Sequence, residues 1–227
     1  MEYGQYIEME KAFANLSYQG VYLIDLPDDR IIYHSNSPVL WPGFSDEDWE
    51  RPASYIFQHA VPDEEIILFD RMADTLRSSY SMVKKEIHNQ FVVTFNFHIN
   101  NGNRLTAVNL KLTMIDSNEE SRLLLGLISP PVESDNASII AGDRGAGHYY
   151  RYNPRTGVWE AQNVAPLSEN ELTMLRLSMQ GYSMESISKL MRRSLDTVRF
   201  YRKQVFNKLN VKNISEAISY AFHYGMI

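Results

Sequence analysis

Apolar residues recur at helical spacing in four short segments near the end of the chain, from Leu167 to Ile227. The first segment begins at Ser168, and Glu171 completes a capping box in which both side chains accept hydrogen bonds from backbone N–H groups. Gly181 ends it, because glycine adopts the left-handed conformation at little cost. The apolar stripes of the first two segments are Leu172, Leu175 and Met179, then Ile187 and Met191. The later segments begin at Ser183, Ser194 and Asn213, the last paired with Glu216. This pattern predicts an all-α domain of four short helices.

The third of these helices has two different faces. Its inward positions are Val198, Tyr201, Val205 and Leu209, with Phe206 beside them. Its outward positions, related by steps of three or four, are Arg199, Phe200, Lys203 and Asn207. Arginine can hold O6 and N7 of guanine with two hydrogen bonds, so Arg199 is a candidate base reader. Short helices joined by tight turns, one of them basic, are typical of a DNA-reading helix-turn-helix.

The front of the chain, residues 18–130, has the pattern of short strands and helices. Two strands, GVYLID and RIIYHSN, flank the turn Leu26–Asp29. A helical middle follows, in which 65–80 is predicted as one helix with Ile66, Phe69, Met72, Ala73 and Leu76 on one face. The segment ends with the strands QFVVTFNFHI, RLTAVNLKLTMI and SRLLLGLI, and Asn101-Gly102 predicts a tight hairpin between the first two. The pattern predicts an α+β domain with an antiparallel sheet.

A polar, turn-rich segment separates the two parts. Pro130 and Pro131 end the last strand, and SPPVESDNAS follows in linker-like composition. Further on, Tyr149–Tyr152 and Val158–Glu160 flank N-P-R-T-G, which predicts a small hairpin. We therefore expect a first domain over 1–131, a linker with a hairpin over 132–165, and the helical domain over 166–227. The role of the hairpin is left open.

Charge is divided unevenly between these parts. The 227 residues carry a net charge of −6, yet Lys189 to Lys212 holds eight Lys/Arg against one acid, Asp196. The first 165 residues hold 13 Lys/Arg and 23 Asp/Glu. An acidic body with one basic module is typical of a regulator whose nucleic-acid contact is confined to that module.

Composition narrows the remaining possibilities. No apolar run approaches the length of a membrane span, and MEYGQYIEMEKAFANL has no secretory pattern, so we expect a cytoplasmic protein without a membrane contact. The chain has no cysteine, which removes disulfides, thiolate zinc sites and cysteine nucleophiles. Phosphate loops, dinucleotide glycine patterns and nucleophile elbows are absent from the sequence, so we do not expect an enzyme.

The last quarter of the chain resembles the LuxR-type helix-turn-helix. Its motifs appear in register as LSENELTML, MQGYS, Thr197-Val198-Arg199, Lys208-Leu209-Asn210-Val211 and a terminal Gly225-Met226-Ile227. Asn210 stands where the family has glycine and tolerates positive φ better than most residues. Arg193 stands where an apolar residue is usual, and Tyr201 replaces a frequent histidine. The resemblance implies double-stranded DNA as the partner.

The resemblance also assigns roles to single residues. The resemblance implies that Arg199, Phe200 and Lys203 face the bases, and we add Asn207 from the same outward face of the helix. The resemblance implies that Arg192, Thr197 and Lys208 lie near phosphates, and we add Arg202 to this set. Phe200 is bulkier than the family's usual aliphatic residue, and its ring is suited to a thymine methyl group.

The order of elements in residues 18–130 resembles a PAS domain, and Ile56–Glu64 resembles that family's H-P-[ED]-[DE] corner. PAS sheets curve around a space that holds a small molecule or is filled by side chains, so a ligand is a hypothesis here. No cofactor is expected. Haem would need an axial ligand such as His59, His88 or His98, and no haem attachment motif accompanies them. His59 with Asp63 and Glu64 lies at a proline turn without metal-ligand spacing.

Other front ends fit less well. A phosphoacceptor receiver needs a D-x-x-M-P stretch and a strand-ending Lys, and an acyl-homoserine-lactone pocket shows a W-x-x-Y…D pattern; neither is present. The leading stripe Tyr6, Met9, Phe13 and Leu16 either pairs with a partner chain or caps the sheet, and capping is the expected outcome. We predict a bacterial-type homodimeric regulator whose PAS-like domain senses a small molecule or partner and controls dimer geometry. The alternative is a signal-independent regulator whose front domain serves only dimerisation or protein interaction.

Overall fold

The helices and strands of the chain divide into two units, one built on a sheet and one helical. The computed structural model describes residues 3–17, 19–35, 44–101, 104–116, 122–129, 137–143, 148–162, 166–224 and 226–227. The sheet unit comprises Met1–Asp143 with Tyr150–Ala161, and the helical unit comprises Arg144–Tyr149 with Gln162–Ile227. Within the described ranges, no helix combines the length and the apolar character that crossing a lipid bilayer requires.

The sheet carries the predicted strands in an antiparallel arrangement. Its strands are β1 (Gly20–Asp25), β2 (Arg30–His34), β3 (Phe91–Asn101), β4 (Arg104–Asp116), β5 (Leu123–Ser129), β6 (Ser138–Asp143), β7 (His148–Asn153) and β8 (Val158–Gln162). Their spatial order is β2-β1-β5-β4-β3-β6-β7-β8, and the described pairs from β2 to β6 are antiparallel. The first five strands, with short helices between β2 and β3, form the predicted PAS-like α+β fold.

The sheet core lies between the strands and the helical middle. The helices are α1 (Gly4–Leu16), α2 (Asp46–Trp49), α3 (Ala53–Ala60) and α4 (Met72–Ser81), with 3₁₀ turns at Asp63–Leu68 and Lys85–Ile87. Alternate residues of β3 are buried on the core side because a strand turns successive side chains to opposite faces. Phe69 stacks on Phe57 and Phe95, with ring centroids 5.5 and 5.4 Å apart. Side chains therefore occupy the centre of this core.

The single helix predicted over 65–80 is wrong, because the structure divides it. Asp63–Leu68 is a 3₁₀ turn, and Arg71 (φ −131°, ψ 38°) precedes α4 outside helical geometry. The break lets Phe69 enter the core completely. It also lets Glu65 reach β3, where its carboxylate accepts a hydrogen bond from the His98 N–H at 2.6 Å and lies 2.6 Å from His98 Nδ1. These contacts with a distant strand outweigh the local helical periodicity.

The segment expected as a linker contains a further strand. Residues 138–143 form β6, which pairs with β3 from Asn96↔Ser138 to Phe91↔Asp143. Ile139 and Ala141 are completely buried in the sheet core, and this burial stabilises the strand. The hairpin lies where it was predicted, as β7 and β8, with Gly157 (φ 71°) in the turn. Gly102, Pro130 and Pro131, on which two other predictions rest, lie outside the described residues.

Helix α1 does not cap the sheet with its apolar stripe, contrary to expectation. It packs against β1 and β2 through another face, on which Glu10 is its buried residue. Met9, Phe13 and Leu16 are 69, 40 and 84% exposed. The side chain of Asp25 on β1 accepts a hydrogen bond from the Tyr3 hydroxyl just before the helix, and this contact attaches the start of α1 to the sheet.

The helical unit has the four predicted helices: α5 (Glu169–Met179), α6 (Met184–Leu190), α7 (Leu195–Leu209) and α8 (Ile214–His223). One cluster forms its core, made of Met174, Leu175, Ile187, Val198, Val205, Leu209, Ala217 and Ala221. The stripe predicted for α5 is rotated in part, since Met174 is completely buried and Met179 is 50% exposed. The predicted α+β unit followed by an all-α unit is therefore confirmed.

Candidate nucleic-acid interface

The helices of the second unit begin at the predicted capping residues. Ser168 and Glu171 form a complete capping box at α5. The Ser183 hydroxyl accepts from the backbone N–H of Ser186 at α6. The Asn213 side chain accepts from the Glu216 N–H at 2.9 Å at α8. Gly181 (φ 83°) ends the turn after α5, as predicted. Each of these helix starts is thus determined by two residues three positions apart.

A tight turn between α6 and α7 presents the start of the basic helix. Arg192 occupies the left-handed region with φ 52°, and the Arg193 N–H donates to the Ser188 carbonyl at 2.9 Å. Ser194 then caps α7, accepting from the Thr197 N–H at 3.1 Å. The hydroxyls of Ser194 and Thr197 are 2.8 Å apart. Arg192 is exposed and Thr197 is half-buried. Both of these residues, which are predicted to lie near phosphates, are at the start of α7.

Helix α7 has one buried and one exposed face. Val198 and Val205 are completely buried and Leu209 nearly so, while Tyr201 and Phe206 are half-buried. The four residues predicted to face bases, Arg199, Phe200, Lys203 and Asn207, are all exposed. Phe200 is 56% exposed, so its ring is available for contact on this face. The helix therefore presents two cations, an aromatic ring and an amide on one surface.

Arg202 lies between the two faces. It is half-buried, and its guanidinium carbon is 5.1 Å from the centroid of the Phe206 ring. Its Nε is buried without a hydrogen-bond partner among the described residues. The stacking holds the planar guanidinium against the helix, with its charge beside the exposed face.

Lys208 has an internal partner that sequence reasoning missed. Its Nζ donates to Glu171 Oε2 at 2.8 Å and to the Pro166 carbonyl at 3.3 Å. The Glu171 side chain is 5% exposed. Burial alone raises the pKa of Glu171, but hydrogen bonds from Lys208 and Ser168 outweigh burial and place it below its usual value. Lys208 thus joins the end of α7 to the start of α5, whereas the sequence assigned it to phosphates.

Asn210 ends α7 in the left-handed conformation (φ 54°), and its N–H donates to the Phe206 carbonyl. This is the geometry expected where asparagine replaces the glycine of K-L-G-V.

The histidines considered as ligands have structural contacts in the sheet unit. His59 stacks on Tyr55 at 3.7 Å, and His88 Nε2 is 3.1 Å from the Tyr80 carbonyl. His98 is paired with Glu65. Among the described residues, no group of three or more His, Cys, Asp or Glu side chains is placed to hold a metal ion.

Comparison with known proteins agrees with the geometry of the helical unit. Residues 165–221 match the family model described as bacterial regulatory proteins, luxR family. The chain is 23% identical over 171 residues to the response regulator protein VraR of Staphylococcus saprophyticus, covering 72% of this chain and 76% of that protein. The sheet unit differs from the doubly wound parallel sheet of receiver folds, since its described strand pairs are antiparallel.

Two solved structures align along most of the chain. One is a phage VqmA–DPO complex, with 13% identity and a TM-score of 0.35 over 98% of this chain and 90% of that one. The other is the VqmA dimer of Vibrio cholerae without target DNA, with 14% identity and a TM-score of 0.35 over 96% of this chain and 88% of that one.

Proposed function

We propose, from the premise that the helical unit is a LuxR-type helix-turn-helix, that the chain is a sequence-specific transcription regulator that places α7 in the major groove of double-stranded DNA. One observation carries the proposal. The face of α7 opposite its buried residues exposes Arg199, Phe200, Lys203 and Asn207 together. Arginine and asparagine read guanine and adenine edges, and an exposed ring suits a thymine methyl group.

Phosphate contacts are proposed for residues at the edges of this surface. Arg192 and Thr197 lie at the start of α7, and Arg202 lies along its side. Cations here would neutralise backbone phosphates and fix the register of the helix. Lys208 contributes less, because the Glu171 carboxylate already offsets its charge. These roles are binding roles, and we propose no catalytic step.

A selection experiment tests the proposal. The full chain is incubated with a pool of random duplexes, and bound DNA is sequenced over several rounds. We expect a twofold-symmetric consensus whose half-sites lie about one helical turn, roughly 10 bp, apart. Enrichment of no sequence, with non-specific binding only, would show that the chain does not read bases.

We propose that a second copy of the chain covers the exposed stripe of α1. Met9, Phe13 and Leu16 recur at steps of four and three, and so form one apolar line along a helix about 20 Å long. The neighbouring face is polar and carries the Glu8–Lys11 pair, at 2.8 Å. Two-fold pairing also suits a protein that binds two half-sites.

Replacing Leu16 with Glu is expected to weaken dimerisation at least tenfold, because it places a carboxylate on an apolar contact. Sedimentation equilibrium of the full chain measures the dissociation constant. Asn15→Glu is the matched control, since it adds the same charge one residue away, on the polar face. Equal dimerisation by Leu16→Glu and wild type would assign the interface elsewhere and leave DNA reading untouched.

We further propose that the sheet unit receives a signal, a small molecule or a partner, which changes the geometry of the dimer. The alternative is a signal-independent regulator. The stacked rings of Phe57, Phe69 and Phe95 favour this alternative, because they fill the centre of the sheet core. Native mass spectrometry of protein purified from its own host separates the two. A stoichiometric added mass on the full chain supports sensing, and a bare chain with full DNA affinity supports the alternative.

A further inference from the structure

Helix α7 carries one acid among its cations, and that acid touches the proposed base reader. Asp196 Oδ1 accepts a hydrogen bond from Arg199 Nη1 at 3.3 Å, one helical turn away. The two side chains are 90 and 62% exposed, so the contact lies on the surface that we assign to DNA. Among the contacts of the described residues, this carboxylate is the only acceptor for the Arg199 guanidinium.

A second carboxylate lies near the same guanidinium without such a bond. The pKa of Glu185 on α6 lies below its usual value, chiefly through hydrogen bonds from its own backbone N–H and from Ser183 at the helix start, and also through the charge of Arg199. No hydrogen bond joins Glu185 to Arg199 within the described part of the chain. Asp196 and Glu185 therefore both interact with the charge of Arg199, but only Asp196 also accepts a hydrogen bond from it.

An acid on this surface opposes DNA binding by simple charge. Non-specific affinity grows with the phosphates that cations neutralise, and Asp196 subtracts from that attraction. It stands in the first turn of α7, next to the Ser194 cap, and the first residues of a recognition helix are those that contact base edges. The compensating benefit is either the favourable charge of an acid at the positive end of the helix or the geometry of its contact with Arg199.

We propose that Asp196 is a positioning residue that holds the Arg199 guanidinium in one orientation before DNA binds and thereby sharpens the choice of guanine. The inference rests on the proposed function. A long side chain loses rotamer freedom when it binds, and a bond already made in the unbound protein reduces that loss for the selected orientation. A guanidinium has five N–H donors, so one bond to Asp196 leaves enough for both guanine acceptors.

The test compares base preferences of four full-length proteins, wild type, Asp196→Asn, Glu185→Gln and Arg199→Ala, selected from the same random duplex pool. Arg199→Ala identifies the base pair that Arg199 reads. At that pair we expect Asp196→Asn to lower the preference for guanine about threefold to tenfold, within the discrimination that one bidentate contact provides. Glu185→Gln removes a nearby negative charge without removing a bond to Arg199, so its profile should match wild type. Both charge-neutralising variants should bind an unrelated duplex slightly more tightly.

Three results would overturn the inference. An unchanged profile with a lower melting temperature would reduce Asp196 to a helix-stabilising role at the positive end of α7. A change at a base pair other than the one assigned by Arg199→Ala would mean that Asp196 contacts a base itself. The same change in Glu185→Gln would make charge, not the hydrogen bond, the cause. Failure of the wild type to select any sequence is a separate outcome, and it refutes the proposed function instead.

Discussion

Replacing Arg199 and Lys203 together with alanine is expected to lower affinity for the selected DNA site about 100-fold or more. A bidentate arginine–guanine contact provides about 1–3 kcal/mol of discrimination, and each lost cation also weakens attraction to the backbone. Both side chains are exposed on the outward face of α7, so their loss leaves the core intact. Fluorescence anisotropy with a labelled duplex at fixed salt measures the change, and circular dichroism confirms that the helices remain.

The matched control removes the same charge from other surfaces of the helical unit. Arg176 is 47% exposed and lies near Glu169, and Lys212 is exposed beyond α7. The Arg176→Ala, Lys212→Ala double variant should therefore lower affinity for the selected DNA site only a few-fold, because it weakens only the overall electrostatic attraction of the protein for DNA. If the folded Arg199/Lys203 variant binds as tightly as this control, the assignment of the reading surface to α7 is wrong.

Lys208→Met is expected to destabilise the helical unit by about 1–3 kcal/mol, because it leaves the buried Glu171 carboxylate without its ammonium partner. Thermal and urea unfolding of the full chain, followed by helical circular dichroism, report the loss. Because the folded-state pKa of Glu171 lies below its usual value, the stabilisation is present above the unfolded pKa and disappears as pH falls through the folded pKa. The variant should therefore lose less stability on acidification than wild type.

The same variant distinguishes a structural role from a phosphate contact. Arg192→Met removes an exposed cation and should reduce the slope of log affinity against log salt by about 1, with little change in stability. Lys208→Met should instead lower stability and leave the slope of log affinity against log salt nearly unchanged. Adding Glu171→Gln to Lys208→Met should restore part of the lost stability, since the charge that lacked a partner is gone. If Lys208→Met reduces the salt slope and leaves stability unchanged, Lys208 contacts a phosphate and the structural role is wrong.

Sequence reasoning succeeded where the determining residues are close together in the chain. Ser168 and Glu171 are three positions apart and form the capping box that their spacing predicts. Asn210 adopts the left-handed conformation that its place in the motif requires. The outward positions of α7 follow from helical periodicity alone, and all four are exposed. Local chemistry is therefore sufficient for the starts and faces of these helices.

The errors concern contacts between residues far apart in sequence. Glu65 bonds to His98 across 33 positions, and the break before α4 accompanies that contact. The sequence does not indicate the contact between Lys208 and Glu171 across 37 positions, and the phosphate contact implied by the motif position of Lys208 stays a prediction. Strand β6 pairs with β3, and its side chain Ser138 accepts a hydrogen bond from Asn96 across 42 positions. The apolar run Ile139-Ile140-Ala141 is a local indication of a strand, but it does not indicate that β3 is the partner.

The docking of α1 on the sheet depends on the protonation of one side chain on its buried face, Glu10. Glu10 Oε2 is buried without a hydrogen-bond partner among the described residues, and burial raises the pKa of this carboxyl to about 7. A helix released into water would lose the same proton near the usual 4.5. Between these values the docked state binds more protons, so docking weakens as pH rises towards 7. Protection factors of the α1 amides, which correct for the intrinsic pH dependence of exchange, should fall over this range in wild type and not in Glu10→Gln. Acidification thus tightens the attachment of the helix whose outer stripe is proposed to join two chains.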